Sequence, residues 1–429
     1  MNRRHPTMTA LGLLALGLSA QAAELSWSGF ATLGYAQSDA DFTLQRHISD
    51  DGGWRRDSVL AGQLDAKLSP NWSATAQLRL GPALKDDRGW DVEARWAFVA
   101  WRPNNDWLLR AGRLRVPLYL HSETLDIGAA HDFVRLPAEM YWITPTNDFT
   151  GLYATRSWAL GARDLSLDAY SGKASTALRR FLSQGAGPAL PAGPFYTDVR
   201  LRSSGMVLTL RDANSLLRSG LHYTATQRRD GSALPSSYPF VTLSPGLGYY
   251  QVDASLPGPG IPGTQSVRNL VYTLGAEQQF GAGWRLSGEL ARVHQLDTQI
   301  GADANSGYIA LSRSIGALTP YATLGRMLSN RSQRDWQQRL ATTALPSFIP
   351  GAAAVNGAQQ LAAETVPVYD QRSVALGLSY ALNASSKIKG EWLRTWIGAP
   401  SATATPAVGQ PWPRDTHADV LSVNYSIAF

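Results

Sequence analysis

Apolar and polar residues alternate one by one along most of the chain, which is the period of a β-strand with two chemically different faces. The final segment, LSVNYSIAF, shows this pattern clearly. It places Leu421, Val423, Tyr425, Ile427 and Phe429 on one face and small residues, mostly polar, on the other. Sustained helical periodicity is scarce. The pattern therefore predicts an all-β fold.

Segments with this period recur from one end of the chain to the other. They are residues 24–37, 56–69, 72–82, 90–102, 107–116, 149–157, 163–172, 202–211, 215–228, 267–280, 284–295, 306–315, 318–328, 371–383, 386–397 and 416–429. The segments predict a sheet of about sixteen strands, with about eighteen as the alternative.

The connections between these segments alternate in length. Short ones such as Ser69–Asn71 and Ala384–Ser385 are followed by longer stretches. The longer stretches are residues 38–55, 83–89, 117–148, 173–201, 229–266, 296–305, 329–370 and 398–415. Loops as long as 329–370 are uncommon in compact soluble domains, whereas outer-membrane barrels combine short periplasmic turns with long external loops. The alternation therefore predicts a single transmembrane antiparallel β-barrel.

A barrel in lipid must close on itself, because lipid offers no hydrogen-bond partner to an open sheet edge. We therefore expect segment 24–37 to pair with segment 416–429. Alternation is equally compatible with a soluble β protein whose apolar face points inward, and that alternative stays open. Aromatic residues near the short turns favour the membrane barrel, because aromatic side chains collect at bilayer interfaces. These residues are Trp72, Trp107, Trp284, Tyr321, Tyr380 and Phe429.

The N-terminus has the three regions of a secretory signal peptide in the right order. Residues 3–5 are basic, and the apolar stretch Leu11–Ala20 that follows is too short to span a bilayer. Small residues around Ala22 fit the cleavage rule. We therefore predict a signal peptide over residues 1–22, export from the cytoplasm, and a barrel domain over residues 23–429.

The composition excludes several classes of protein. Charged residues make up 17% of the chain, the formal net charge is +6, and basic residues do not cluster, so no nucleic-acid partner is expected. The absence of Cys excludes a disulfide scaffold and a thiolate metal site. No Walker loop, HExxH or Gly-x-Ser-x-Gly motif is present. We therefore expect no catalytic residues, no metal and no cofactor.

The segment DVEARWAFVAWRPNNDWLLRAGRLRVPLY (Asp91–Tyr119) resembles the strand–turn–strand signature of Gram-negative outer-membrane porins. In that family a Gly-Arg pair, here Gly112-Arg113, precedes a loop that folds into the barrel. Phe429 is similar to the family's last residue, which the barrel-assembly machinery reads. The resemblance implies an outer-membrane location, contact with outer-membrane lipid and a homotrimer. Loop 83–89 departs from the family because it is short, and in trimeric porins that loop often contacts a neighbouring subunit.

The resemblance also makes 117–148 the constriction loop of the pore. Its charged residues include Glu123, Asp126, Asp132, Arg135 and Glu139. Basic residues expected to oppose them are Arg79, Arg95, Arg110, Arg113 and Arg115. An acidic loop that faces a basic wall would create a transverse electric field across a narrow passage. Strand alternation puts Arg110 on the opposite face from Arg113 unless a bulge lies near Gly112.

Together these features predict a porin through which small hydrophilic solutes diffuse passively, with a mild anion preference from the net positive charge. One alternative is a substrate-specific outer-membrane channel for anionic or sugar-like solutes. A second and less favoured alternative is an outer-membrane barrel hydrolase. Such barrels are smaller and need a clustered Ser/His/Asp or Asp/His set, which the sequence does not show.

Overall fold

The structure is a computed structural model, and it describes residues 24–185, 187 and 190–429. The signal peptide predicted over residues 1–22 lies outside the described residues. Across the described part of the chain, sixteen antiparallel strands close into one barrel. The alternative of about eighteen strands is therefore not needed.

The barrel strands are numbered here in chain order. They are β1 Glu24–Ser38, β2 Val59–Lys67, β3 Trp72–Pro82, β4 Trp90–Trp101, β5 Trp107–Arg115, β6 Asp148–Leu160, β7 Arg163–Leu182, β8 Gly193–Arg211, β9 Ser215–Arg228, β10 Val267–Gln279, β11 Trp284–Gln295, β12 Ala304–Arg313, β13 Leu318–Ser329, β14 Asp370–Asn383, β15 Ser386–Ile397 and β16 Thr416–Ala428. Each strand pairs with its neighbours in sequence.

The first and last strands close the barrel, as the alternation predicts. β1 pairs with β16 from Phe30↔Ala428 to Ser38↔Val420, and its first half pairs with β2. Beyond β16, Phe429 continues the seam through two backbone hydrogen bonds with Gly29, of 2.7 and 2.9 Å. The sheet therefore presents no open edge along this seam, which is what lipid requires of a spanning sheet.

The two ends of the barrel differ. At one end, here called the turn end, the connections are residues 68–71, 102–106, 161–162, 212–214, 280–283, 314–317 and 384–385. At the other, the loop end, they are residues 39–58, 83–89, 116–147, 183–192, 229–266, 296–303, 330–369 and 398–415. Short two-stranded ladders within these loops join Thr43–Leu44 to Ala404–Thr405, and Phe240–Ser244 to Leu247–Tyr250.

The outer face of the barrel is apolar and the inner face is largely polar. Exposed apolar side chains on the outside include Leu25, Trp27, Leu60, Val92, Leu152, Leu290, Leu324 and Leu421. The alternate residues Ser422, Asn424 and Ser426 of β16 are buried inside. Tyr321 was expected near the bilayer interface, and that expectation is wrong: its ring points inward and is 5% exposed.

One hairpin is longer than the sequence pattern predicts. β7 and β8 remain paired up to Leu182↔Gly193, so most of stretch 173–201 is strand and not loop. The added part, Lys173–Leu182 (KASTALRRFL), lacks an apolar outer face and carries Arg179 and Arg180 instead. Its tip therefore projects past the apolar zone and reaches over the loop end of the barrel.

Three α-helices lie in the loops of the described residues: α1 Ala138–Tyr141, α2 Arg331–Thr342 and α3 Ala352–Thr365. Trp336 and Leu340 of α2 are buried against Ala362 and Ala363 of α3. None of the helices within the described ranges is long and apolar enough to cross a membrane. We call α2, α3 and loop 398–415 the roof, because all three border the cavity described below.

Candidate constriction and vestibule of the barrel

Residues 116–147, here called the inner loop, leave β5, cross the lumen and return to β6. The sequence predicts this loop over residues 117–148, and the structure makes Asp148 the first residue of β6. Apolar side chains fix the loop to the far wall: Leu118, Phe133 and Met140 are buried in one cluster with Tyr308 and Tyr321. The loop is therefore packed against the inside of the barrel.

Glu289 of β11 anchors both ends of the inner loop. Its carboxylate accepts hydrogen bonds from the backbone N–H of Leu120 at 2.8 Å and from the hydroxyl of Tyr141 at 2.5 Å. The hydroxyl of Tyr308 donates a third bond at 3.0 Å. A buried carboxylate needs such donors, and here three converge on one group.

The middle of the inner loop is held by β15 and β16. The ammonium of Lys389 donates to the carbonyl oxygens of Gly128 and Phe133 at 2.9 and 2.8 Å. Asn424 Nδ2 donates to the Val134 carbonyl oxygen at 3.0 Å. Because these bonds are to the loop backbone, they fix the course of the loop whatever side chains it carries.

A buried cluster of arginines and carboxylates lies where the loop meets β3, β4 and β5. Asp126 lies 3.1 Å from Arg79 and 2.8 Å from Arg115. Asp148 lies 2.7 Å from Arg95 and 3.1 Å from Arg115. Burial alone would raise the pKa of Asp126, but the positive charges of Arg79, Arg115 and Arg95 outweigh it and hold the pKa well below its usual range.

The remaining predicted acidic residues have separate partners. Asp132 pairs with Arg285 and, at 2.8 Å, with Lys387, and these bonds lower its pKa despite its burial. Glu139 is buried and accepts a bond from Gln371 at 2.9 Å. Glu123 lies 3.6 Å from Arg110, and its side chain is 65% exposed.

The three arginines of β5 all reach the inside of the barrel. Arg110 lies over the Tyr153 ring at 4.2 Å, and Arg113 approaches Asp148 at 3.8 Å, although alternation separates the two arginines. The ladder register is continuous at Gly112, which has φ +135°. The bulge lies instead at Arg95 of β4, where Gln77 pairs with Trp96 and the next residue, Leu78, pairs with Ala94.

The charges are not divided simply into an acidic loop and a basic wall. Arg135 belongs to the loop, and its partners, Asp57 at 2.7 Å and Glu391 at 3.8 Å, lie outside it. The sequence pattern did not predict Asp57, Glu289 and Glu391 as loop anchors. Strand alternation predicts which of these side chains point into the lumen, but it does not predict the depth at which the inner loop crosses the lumen.

Comparison with solved structures places this architecture among known barrels. A loop-deletion mutant of OmpT, an outer membrane protein of Vibrio cholerae, aligns with a TM-score of 0.52 at 10% identity, over 95% of this chain and 100% of that one. The outer membrane channel DcaP of Acinetobacter baumannii aligns with a TM-score of 0.50 at 9% identity, over 96% and 99%. The barrel has a porin-like fold. No family model and no curated protein sequence matches the chain.

The porin-like barrel contains a cavity of about 940 Å³ between the inner loop and the roof. We call this cavity the vestibule. It is bordered by Leu118 and Trp142 of the inner loop and by Arg180 at the tip of the β7–β8 hairpin. On the side of the roof it is bordered by Trp412 and by Val366, which follows α3. The vestibule therefore lies on the loop-end side of the inner loop. Most of its lining is apolar.

Proposed function

We propose that this chain is an outer-membrane porin of a Gram-negative bacterium, through which small hydrophilic solutes diffuse without chemical conversion. The observation that carries the proposal is the packing of the inner loop across the lumen of a closed barrel. An apolar outer face of this extent favours contact with lipid, because soluble monomers rarely expose large apolar patches. A polar inner face is typical of water-filled barrels.

In this proposal the inner loop is the constriction, and Arg79, Arg95, Arg110, Arg113, Arg115, Glu123, Asp126, Asp132, Arg135 and Glu139 set its charge. Of these residues, Glu123 is the best candidate for contact with solute, because its side chain is 65% exposed. The buried pairs around Asp126 hold the loop in place.

Planar-bilayer recording tests the channel directly. Folded, detergent-solubilised protein should insert and produce discrete conductance steps in KCl. Barrels that migrate as folded in detergent gels but never conduct would contradict the proposal. Heat-denatured protein is the control, because it retains the sequence but not the barrel.

Export and assembly complete the proposal. Cleavage of a signal peptide would start the mature chain near Ala23, which N-terminal sequencing of the outer-membrane fraction would check.

We also propose a homotrimer, because a polar row on the outer face, Thr150, Lys173 and Arg202, is poorly suited to lipid. A monomeric mass in mild detergent would contradict the trimer without affecting the channel. Phe429 is the residue proposed for recognition by the barrel-assembly machinery.

A further inference from the structure

The vestibule contains a basic group without an acidic partner. The guanidinium of Arg180 donates from Nε to the Thr365 carbonyl oxygen at 3.0 Å and from Nη1 to the Arg179 carbonyl oxygen at 3.1 Å. No carboxylate of the described residues lies within 4.0 Å of it. Carbonyl oxygens orient the guanidinium without neutralising it, and the N–H groups of Nη2 remain available.

Basic residues outnumber acidic ones around this part of the vestibule, and Arg414 also lines its wall. Arg46 and Arg179 both contact Asp87, at 2.6 and 2.8 Å. Glu364 accepts two bonds from Ser183, from its backbone N–H at 2.9 Å and from its hydroxyl at 2.5 Å. The carboxylates of Asp87 and Glu364 together oppose four arginines, Arg46, Arg179, Arg180 and Arg414. The remaining positive charge favours anions in this part of the vestibule.

The surroundings of Arg180 are apolar and aromatic. Phe181 and Trp412 both line the vestibule, and their rings meet edge to face with centroids 6.3 Å apart. The indole N–H of Trp412 is buried and has no hydrogen-bond partner among the described residues. The wall of one cavity thus carries an unpaired cation, two aromatic rings and an unused donor, a set that matches a ligand with an acid group on an apolar body.

We propose that the vestibule binds organic monoanions with an apolar body, with the acid group on Arg180 and the body against Phe181 and Trp412. This proposal rests on the proposed channel function and names a solute class for it. Inorganic anions would gain only the charge interaction, and neutral aromatic compounds only the apolar contact.

Calorimetric titration of the folded, detergent-solubilised full chain tests the proposal, with benzoate as the probe. Benzoate should bind saturably, and acetate and benzamide should each bind at least about tenfold more weakly, because each lacks one of the two interactions. Arg180→Gln should weaken benzoate binding by about tenfold or more. Arg228→Gln removes a positive charge outside the vestibule lining and should leave binding unchanged.

Equal binding of benzoate and benzamide by the unaltered protein would overturn the proposal without any variant. An equal loss of benzoate binding in Arg180→Gln and Arg228→Gln would overturn the proposal as well, because the loss would then follow from the net charge of the protein. Conductance in KCl, recorded on the same preparation, tests the channel separately from the vestibule site. Barrels that conduct but do not bind benzoate would refute the vestibule site and leave the channel intact.

Discussion

At the scale of single residues, the two acidic side chains Glu123 and Asp126 have different roles although they lie three positions apart. Asp126 is mostly buried between Arg79 and Arg115, whereas Glu123 is exposed beside Arg110. Removal of one partner from a buried ion pair leaves an uncompensated charge, and an exposed pair contributes little to stability.

Asp126→Asn should therefore destabilise the barrel by about 3 kcal/mol, and Glu123→Gln by less than about 1 kcal/mol. Glu123→Gln should instead shift the reversal potential in a KCl gradient toward anions. The temperature at which the folded gel band disappears checks stability. The assignment would be wrong if Asp126→Asn changed selectivity at unaltered stability.

His131 gives the inner loop a pH dependence. Burial, the charge of His121 and the nearby Lys389 and Lys387 lower its pKa from about 6.5 to about 3, although its bond to the Thr124 carbonyl opposes this. The folded pKa is below the unfolded one, so stability is fully present above about pH 6.5 and is lost as pH falls toward 3.

Thermal stability of the folded barrel should therefore decrease between about pH 6.5 and pH 4, and His131→Gln should flatten that decrease because Gln cannot titrate. His417→Gln, at an exposed histidine, is the control and should keep the slope of the unaltered protein. An identical slope in all three proteins would show that His131 does not contribute.

Strand alternation predicts which residues point inward, Arg79 and Arg95 among them, but not their partners. Asp126 meets Arg79 only because the inner loop crosses the lumen at that depth. Nothing in the linear pattern sets the depth, since it results from Lys389, Glu289 and other wall residues far away in sequence. The inward direction of Arg79 and Arg95 was therefore predictable, and their pairing was not.

At the scale of elements, β5 depends on close contact between its backbone and β4. Gly112 has φ +135°, and a Cβ there would lie 2.2 Å from the Ala97 carbonyl oxygen and 2.7 Å from Phe98 Cα. Both the positive φ and the contact disfavour any side chain at this position. Gly112 thus allows β5 to lead into the inner loop.

Gly112→Ala should destabilise the folded barrel by about 2 kcal/mol or more, because the backbone of β4 must move. Gly62→Ala on β2 is the matched control: a Cβ there meets nothing within 4 Å, so its effect should stay within about 0.5 kcal/mol. The folded fraction in detergent at increasing temperature measures both. Equal losses of stability in the two variants would mean that the close contact between Gly112 and β4 does not determine the effect.

Strand positions were predictable because lipid and water impose a period of two on every spanning segment. β9, β11 and β15 have the predicted bounds. The prediction was wrong where this constraint ends: the outer parts of β7 and β8 are paired to each other beyond the apolar zone, so their outer positions need not be apolar. Helices α2 and α3 lie in loop 330–369, where lipid does not impose the period of a strand.

At the scale of the whole molecule, closure of the barrel joins the two strands that are farthest apart in sequence. Such a pairing has the largest entropic cost of loop closure, because the loop that it closes is the longest in the molecule. The seam ends at Phe429, whose backbone bonds to Gly29 and whose ring covers that glycine: a Cβ on Gly29 would lie 2.6 Å from the ring.

Phe429→Ala should therefore reduce the yield of folded barrels more than it changes the conductance of those that form. The backbone bonds to Gly29 do not need the ring, and the ring is 68% exposed at the turn end. Phe429→Tyr keeps an aromatic ring over Gly29 and should fold with a normal yield. Gel migration of the folded fraction and single-channel recording of the same sample measure the two quantities separately. A normal yield with altered conductance would place the function of Phe429 in the pore and not in closure of the seam.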